Sequence, residues 1–209
     1  RPGLAIHPTV FWFSAGLAVV FVAVCLAYLN EMAAVFNEVL ASITGSMGWF
    51  FVLAVNIYLA VILFFLFSRH GNIRLGGETA VPEFSYWGWL SMLFSAGMGI
   101  GLVFWSVAEP IYHFSAPPWG AANTVQAAEL AMGVTFFHWG LHAWGLYALM
   151  ALGIAYFAFN RGLPLTIRSV FYPLLGERIH GNIGNFIDIL AAVATLFGLA
   201  TSLGLGAQQ

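Results

Sequence analysis

The chain alternates long apolar stretches with short polar ones. Residues 9–30 carry no charge, and residues 47–67 stay apolar until Arg69 closes them. From Tyr86 the chain is uncharged up to Glu109, residues 130–159 form a fourth run, and a fifth starts near Ile189 and is still apolar at Gln209. A helix needs about 20 apolar residues to cross the hydrocarbon layer, so each run predicts a membrane-spanning helix. The fourth is long enough to tilt or to extend beyond the bilayer. The first is too long, and too rich in Phe11, Trp12 and Phe13, for a signal-peptide core, and no small-residue cleavage site follows it. The opening Arg1 and the apolar end are what a piece of a longer product would have.

The polar stretches supply the rest of the map. Residues 31–45 are acidic and partly amphipathic, predicting a separate helix on the outer surface. Residues 69–83 hold Gly71, Gly76, Gly77 and Pro82, a turn-rich inner loop. Pro117-Pro118 marks an outer turn. Residues 160–185 form an inner segment with Gly162, Pro164, Pro173 and Gly176, and 165–175 predicts a short interfacial helix. Arg1, Arg69, Arg74, Arg161, Arg168 and Arg178 are the basic residues, and all fall on one side of an alternating five-span path. Basic loops face the cytoplasm. The expectation is a multi-pass protein of the plasma (inner) membrane with a cytoplasmic N-terminus.

Composition closes off other classes. Of 209 residues, 61% are hydrophobic and 7% are charged, where a soluble domain has about 25% charged. A soluble enzyme, a disordered segment and a nucleic-acid binder are excluded on that ground. Cys25 is the single cysteine, so neither an internal disulfide framework nor a cysteine zinc site is available. The fold class is all-α integral membrane, with the lipid bilayer as its solvent.

Within the third run, Ser95-Ala96-Gly97-Met98-Gly99-Ile100-Gly101 places three glycines in five residues. Each weakens a helix by about 1 kcal/mol relative to Ala. Irregular backbone at that depth persists only where it is buried in protein or lines a cavity, and transporters use such breaks to present free carbonyls to substrates and ions. The competing reading is close packing, since Gly97 and Gly101 are four apart. In the fourth run, Trp139, Trp144 and Tyr147 share one broad face if the helix is continuous, with Trp144 about 140° and Tyr147 about 80° from Trp139. Gly140 and Gly145 leave room beside them. Such a face suits a quaternary ammonium group; an interfacial aromatic belt is the alternative.

His138 and His142, four apart, form a possible metal pair, yet no third ligand stands at a suitable spacing. A membrane redox or metal protein ligated by these histidines is the rival from a different class. Glu109, before Pro110, reads either as a boundary residue or as a gating or pairing group. Thr195, Thr201 and Ser202 offer hydroxyls suited to a hard cation, or bonded back to their own helix.

These residues resemble the betaine/carnitine/choline transporter family. The likeness rests on the run from Met92 to Leu102 with Ala108-Glu109-Pro110, and on Phe137-His138-Trp139 through Trp144 and Tyr147. The loop from Gly71 to Gly76 and the stretch Ala200-Thr201-Ser202-Leu203-Gly204 fit as well. The resemblance implies a LeuT-type inverted-repeat secondary transporter, not an enzyme. Residues 1–84 would be two leading helices with their inner loop, and 85–209 the first three helices of the first repeat. It implies a homotrimer when full length and no cofactor besides Na+ as coupling ion. The expected cargo is a small zwitterionic or cationic quaternary-ammonium solute, glycine betaine first. Trp139, Trp144, Tyr147, Gly97, Met98, Gly99 and Gly101 would bind substrate. Ser95 and Met98 would bind one sodium ion through backbone carbonyls, and Thr195 a second. Leu199 departs from members with a second Thr there. A sodium-independent betaine/carnitine exchanger and a proton-coupled choline carrier are the nearest alternatives.

Overall fold

The computed structural model describes residues 6–97 and 99–207, and no strand occurs among them. Helix α1 (Pro8–Ala27) opens on a proline, which suits the first turn because its missing N–H has no intrahelical partner there. It ends at Tyr28, whose backbone leaves the helical region while its N–H still donates to the Val24 carbonyl at 2.9 Å. Helix α2 (Leu29–Phe67) follows at once and runs for 39 residues. The expected separate surface helix over 31–45 is therefore corrected: those residues continue into the second span. No proline interrupts them. The Thr44 and Ser46 hydroxyls donate back to the carbonyls of Leu40 and Ser42, at 2.8 and 2.6 Å, within the same helix. At 1.5 Å per residue α2 is about 58 Å long, nearly twice the hydrocarbon thickness.

The third apolar run divides into α3 (Tyr86–Gly97) and α4 (Ile100–Ser115). Ser85 caps α3, its hydroxyl accepting from the Gly88 N–H at 3.2 Å. The fourth run begins upstream of its predicted start. Helix α5 (Val125–Trp139) is capped by Thr124, which accepts from the Ala127 N–H at 3.1 Å. Helix α6 (Leu141–Ala155) follows after Gly140 and ends in a π-helical turn, Tyr156–Asn160. The inner segment is tighter than the predicted interfacial helix. It has a 3-10 turn over Ile167–Phe171, the one-turn α7 (Tyr172–Leu175) and a second 3-10 turn over Gly176–His180. Helix α8 (Asn182–Ala207) ends the described chain. Among the described residues, four helical stretches are long and apolar enough to cross a membrane, or five when α3 and α4 count as one bent span.

The chain divides into two compact units, one of residues up to Ile57 with Met150–Gly198, the other of Tyr58–Leu149 with residues from Leu199 on. In the first, Phe21 of α1 meets Phe197 of α8 edge to face at 4.6 Å. The same unit holds a polar knot. Arg168 Nε donates to Asp188 Oδ2 at 2.6 Å, its backbone N–H to Oδ1 at 3.1 Å, and its Nη1 to the Ile179 carbonyl at 3.2 Å. Arg168 is buried, as are Ser169 and Ile179. Gly184 lies against the Ile179 carbonyl so closely that any Cβ would collide with it. Outside this knot, Tyr172 donates to the Glu177 carboxylate at 3.0 Å, and that bond and charge raise the phenol above its ordinary range.

In the second unit, α4 and α5 form the closest helix pair. Ala127 and Ala131, four apart on α5, are both buried, the small-residue face that lets helices approach. Elsewhere large apolar side chains face outward, among them Trp12, Leu26, Phe64 and Phe67. A soluble fold would bury such residues.

Candidate functional site

The glycine stretch does break its span. Helix α3 ends at Gly97, and the axes of Tyr86–Gly97 and Gly101–Ser115 differ by 50°. A helix C-terminus leaves its last four carbonyls without intrahelical partners, and Ser95 is within that last turn of α3. Met98 lies outside the described residues. Gly99 caps α4 in extended backbone, φ −72° and ψ 174°, which any residue adopts. A Cβ at Gly99 or Gly101 would meet nothing within 4 Å, whereas one at Gly97 would lie 2.8 Å from the far edge of the Trp144 ring. Gly97 is the glycine that close approach requires.

That contact joins the broken span to the aromatic residues. Trp144 and Tyr147, three apart on α6, hold their rings 5.5 Å apart and tilted by 43°. Both rings are substantially exposed. Gly145 is buried, with room beside it for Leu59, 3.6 Å from where a Cβ would stand. A cation within about 6 Å of a ring centroid is held by the ring's negative face, and Trp144 and Tyr147 together offer two such faces.

Trp139 is oriented differently, and the predicted continuous face is corrected. Gly140, at φ −91° and ψ −144°, separates α5 from α6, so the spacing of a single helix does not carry across it. A Cβ there would run into the Phe136 carbonyl, which is why the break falls on a glycine. The Trp139 indole N–H donates to Glu109 Oε2 at 2.5 Å. The Trp144 indole N–H donates to the Trp139 carbonyl at 3.1 Å, satisfying a terminal carbonyl of α5.

Glu109 is the residue whose role the sequence left most open. It is buried at 6% exposure, not a solvated boundary group. Its Oε1 pairs with His138 Nδ1 and lies 3.3 Å from His113 Nε2, one turn along α4. The carboxylate thus ties α4 to the end of α5. The three groups gathered here are Glu109, His113 and His138, while the His142 ring lies 4.5 Å from that of Phe137. The missed signal is the i, i+4 spacing of Glu109 and His113, which puts a carboxylate and an imidazole on one helix face.

Thr195 lies in the other unit, and its hydroxyl donates to the Ala191 carbonyl at 2.8 Å. Its oxygen keeps acceptor capacity after that bond.

The site gives a separate prediction. Alanine at position 97 forces the Trp144 ring to move, and a ring displaced from a bound cation forfeits a contact worth about 0.5–2 kcal/mol. Gly97→Ala should therefore weaken ligand affinity by up to about 30-fold, while Gly99→Ala should change it far less. Ligand-dependent quenching of tryptophan fluorescence in the full-length protein measures both. Equal effects of the two would separate Gly97 from Trp144.

A helical membrane protein with a broken span packed against paired aromatic rings has the parts of a small-solute carrier. The family described as "BCCT, betaine/carnitine/choline family transporter" matches residues 9–209, and the chain belongs to it. It is 52% identical over 201 residues to the "Probable glycine betaine transporter" of Desulfitobacterium hafniense (strain Y51), covering 96% of this chain and 40% of that protein. It is 51% identical over 212 residues to "Glycine betaine transporter 1" of Vibrio parahaemolyticus, covering 99% and 40%. It is 44% identical over 204 residues to the "High-affinity choline transport protein" of Escherichia coli (strain K12), covering 98% and 30%. The chain thus spans two fifths or less of the length of these relatives.

Proposed function

We propose that the whole protein is a secondary active symporter that imports glycine betaine or a similar quaternary-ammonium solute, coupled to sodium. The observation that carries this reading is the Trp144–Tyr147 ring pair set against Gly97 at the end of the broken span. Trp144 and Tyr147 take the trimethylammonium head. Free carbonyls near Ser95 take a sodium ion, together with Met98, and the backbone at Gly99 and Gly101 meets the carboxylate end. Thr195 is assigned to a second sodium ion. Trp139 contributes through its position at the end of α5, with its ring nitrogen engaged by Glu109. The relatives named as glycine betaine transporters support this substrate class. The protein acts as a carrier, not an enzyme, and assembles as a homotrimer of LeuT-type repeats in the inner membrane.

The test is uptake of labelled glycine betaine into proteoliposomes holding the full-length protein. An inward sodium gradient should drive accumulation above equilibrium, and collapsing that gradient should abolish it. Betaine counterflow without sodium would instead identify an exchanger, and accumulation driven by a pH gradient a proton-coupled carrier.

The arginine pattern supports a cytoplasmic N-terminus. Single cysteines at positions 38 and 74 should be labelled from opposite faces of the membrane, position 74 from the cytoplasm. Labelling of both from one face would overturn the five-span path.

A further inference from the structure

The geometry points to a binding site for a divalent transition-metal ion of the zinc class at Glu109, His113 and His138, and we propose that Zn2+ binds there. The inference is independent of which solute is carried. One ligand atom from each of the three residues lies within 4.8 Å of the other two. In a tetrahedral zinc site with bonds of about 2.0–2.1 Å, neighbouring ligands stand roughly 3.3–3.5 Å apart. His113 Nε2 already sits 3.3 Å from Glu109 Oε1. His138 Nδ1 is closer to the same oxygen and must move away from it for an ion to sit between them. Two imidazoles and one carboxylate are the donors of many zinc sites that keep a fourth position open. Imidazole also disfavours Mg2+ and Ca2+, which prefer oxygen.

The surroundings suit an ion. Glu109 Oε2 is held by the Trp139 indole N–H at 2.5 Å, so the carboxylate presents Oε1 alone. Hydrogen bonding of a ligand's far atom is how metal sites fix their ligands. The Nδ1 of His113 is buried without a protein partner, so the ring's polar engagement is all at Nε2, the atom that faces the cluster. The His138 side chain is 58% exposed, which leaves a path for the ion and a water on the open side. The sequence offers no third ligand at a suitable spacing near His138 and His142. The ligands come from α4 instead, 29 and 25 residues before His138.

The experiment is calorimetric titration of Zn2+ into the full-length protein in detergent, without solute. One saturable site per chain is expected, with Mg2+ in large excess failing to compete. His113→Gln and His138→Gln should each weaken it about tenfold or more, and the double variant should abolish it. His180→Gln, at an exposed His–Glu pair in the inner segment, should leave it intact. Co2+ bound to the unmodified protein should show the visible absorption of a tetrahedral nitrogen–oxygen site, which keeps the test independent of how the variants fold. No saturable Zn2+ binding, binding retained in the double variant, loss with His180→Gln, or a Co2+ spectrum of octahedral type would each overturn the site.

Discussion

Arg168→Met is expected to destabilise the full-length protein by about 3–5 kcal/mol, the usual cost of removing one partner of a buried ion pair. The cause is Asp188, 11% exposed, which loses the Nε contact at 2.6 Å and retains only the backbone N–H of residue 168. The Ile179 carbonyl loses its Nη1 donor at the same time. Replacing both charges, as in Arg168→Met with Asp188→Leu, removes the stranded carboxylate and should recover most of the loss, since apolar replacement of a buried pair is often neutral. Urea denaturation followed by far-ultraviolet circular dichroism measures all three proteins. If the single variant loses less than about 1 kcal/mol, the pair behaves as an exposed one, and the knot does not organise the inner segment.

Trp144→Leu is the second large effect. It keeps bulk and apolarity but removes the π face. A cation–π contact in a desolvated site is worth about 2 kcal/mol, so the apparent substrate constant should rise roughly 30-fold. Trp144→Phe should raise it less. Trp87, exposed on α3, gives the contrast: Trp87→Leu should leave affinity nearly unchanged. Comparable losses at both positions would point to general packing.

The helices and the site were not equally legible in the sequence. The five apolar runs each correspond to helix because a span must satisfy its backbone internally, and that constraint leaves a direct compositional trace. The break after Gly97 was legible for the same reason: three glycines within five residues stand out against an apolar helix. Residues 31–45 misled because Glu31 and Glu38 look like a surface signature, yet nothing there stops a helix and α2 runs through. Gly140 was equivocal, since a glycine that packs and a glycine that breaks have the same letter; the collision of any Cβ with the Phe136 carbonyl is a property of the fold. Glu109 could be paired in advance only with His113, one turn along α4, because His138 and Trp139 reach it from the next helix. The chemistry of Trp144 is legible in its residue type, while its contact with Gly97 depends on the placement of α6 beside the end of α3.

The proposed function rests on recognition of positive charge by Trp144. Glycine betaine and 3,3-dimethylbutanoate share shape and carboxylate, but the second has carbon in place of the quaternary nitrogen. The decisive measurement is the affinity of each for the unmodified full-length protein and for Trp144→Leu, by competition against labelled glycine betaine. Recognition of charge by Trp144 requires the substitution to cost glycine betaine roughly 30-fold and the carbon isostere far less. An equal loss for both ligands would contradict it and leave Trp144 as a packing residue.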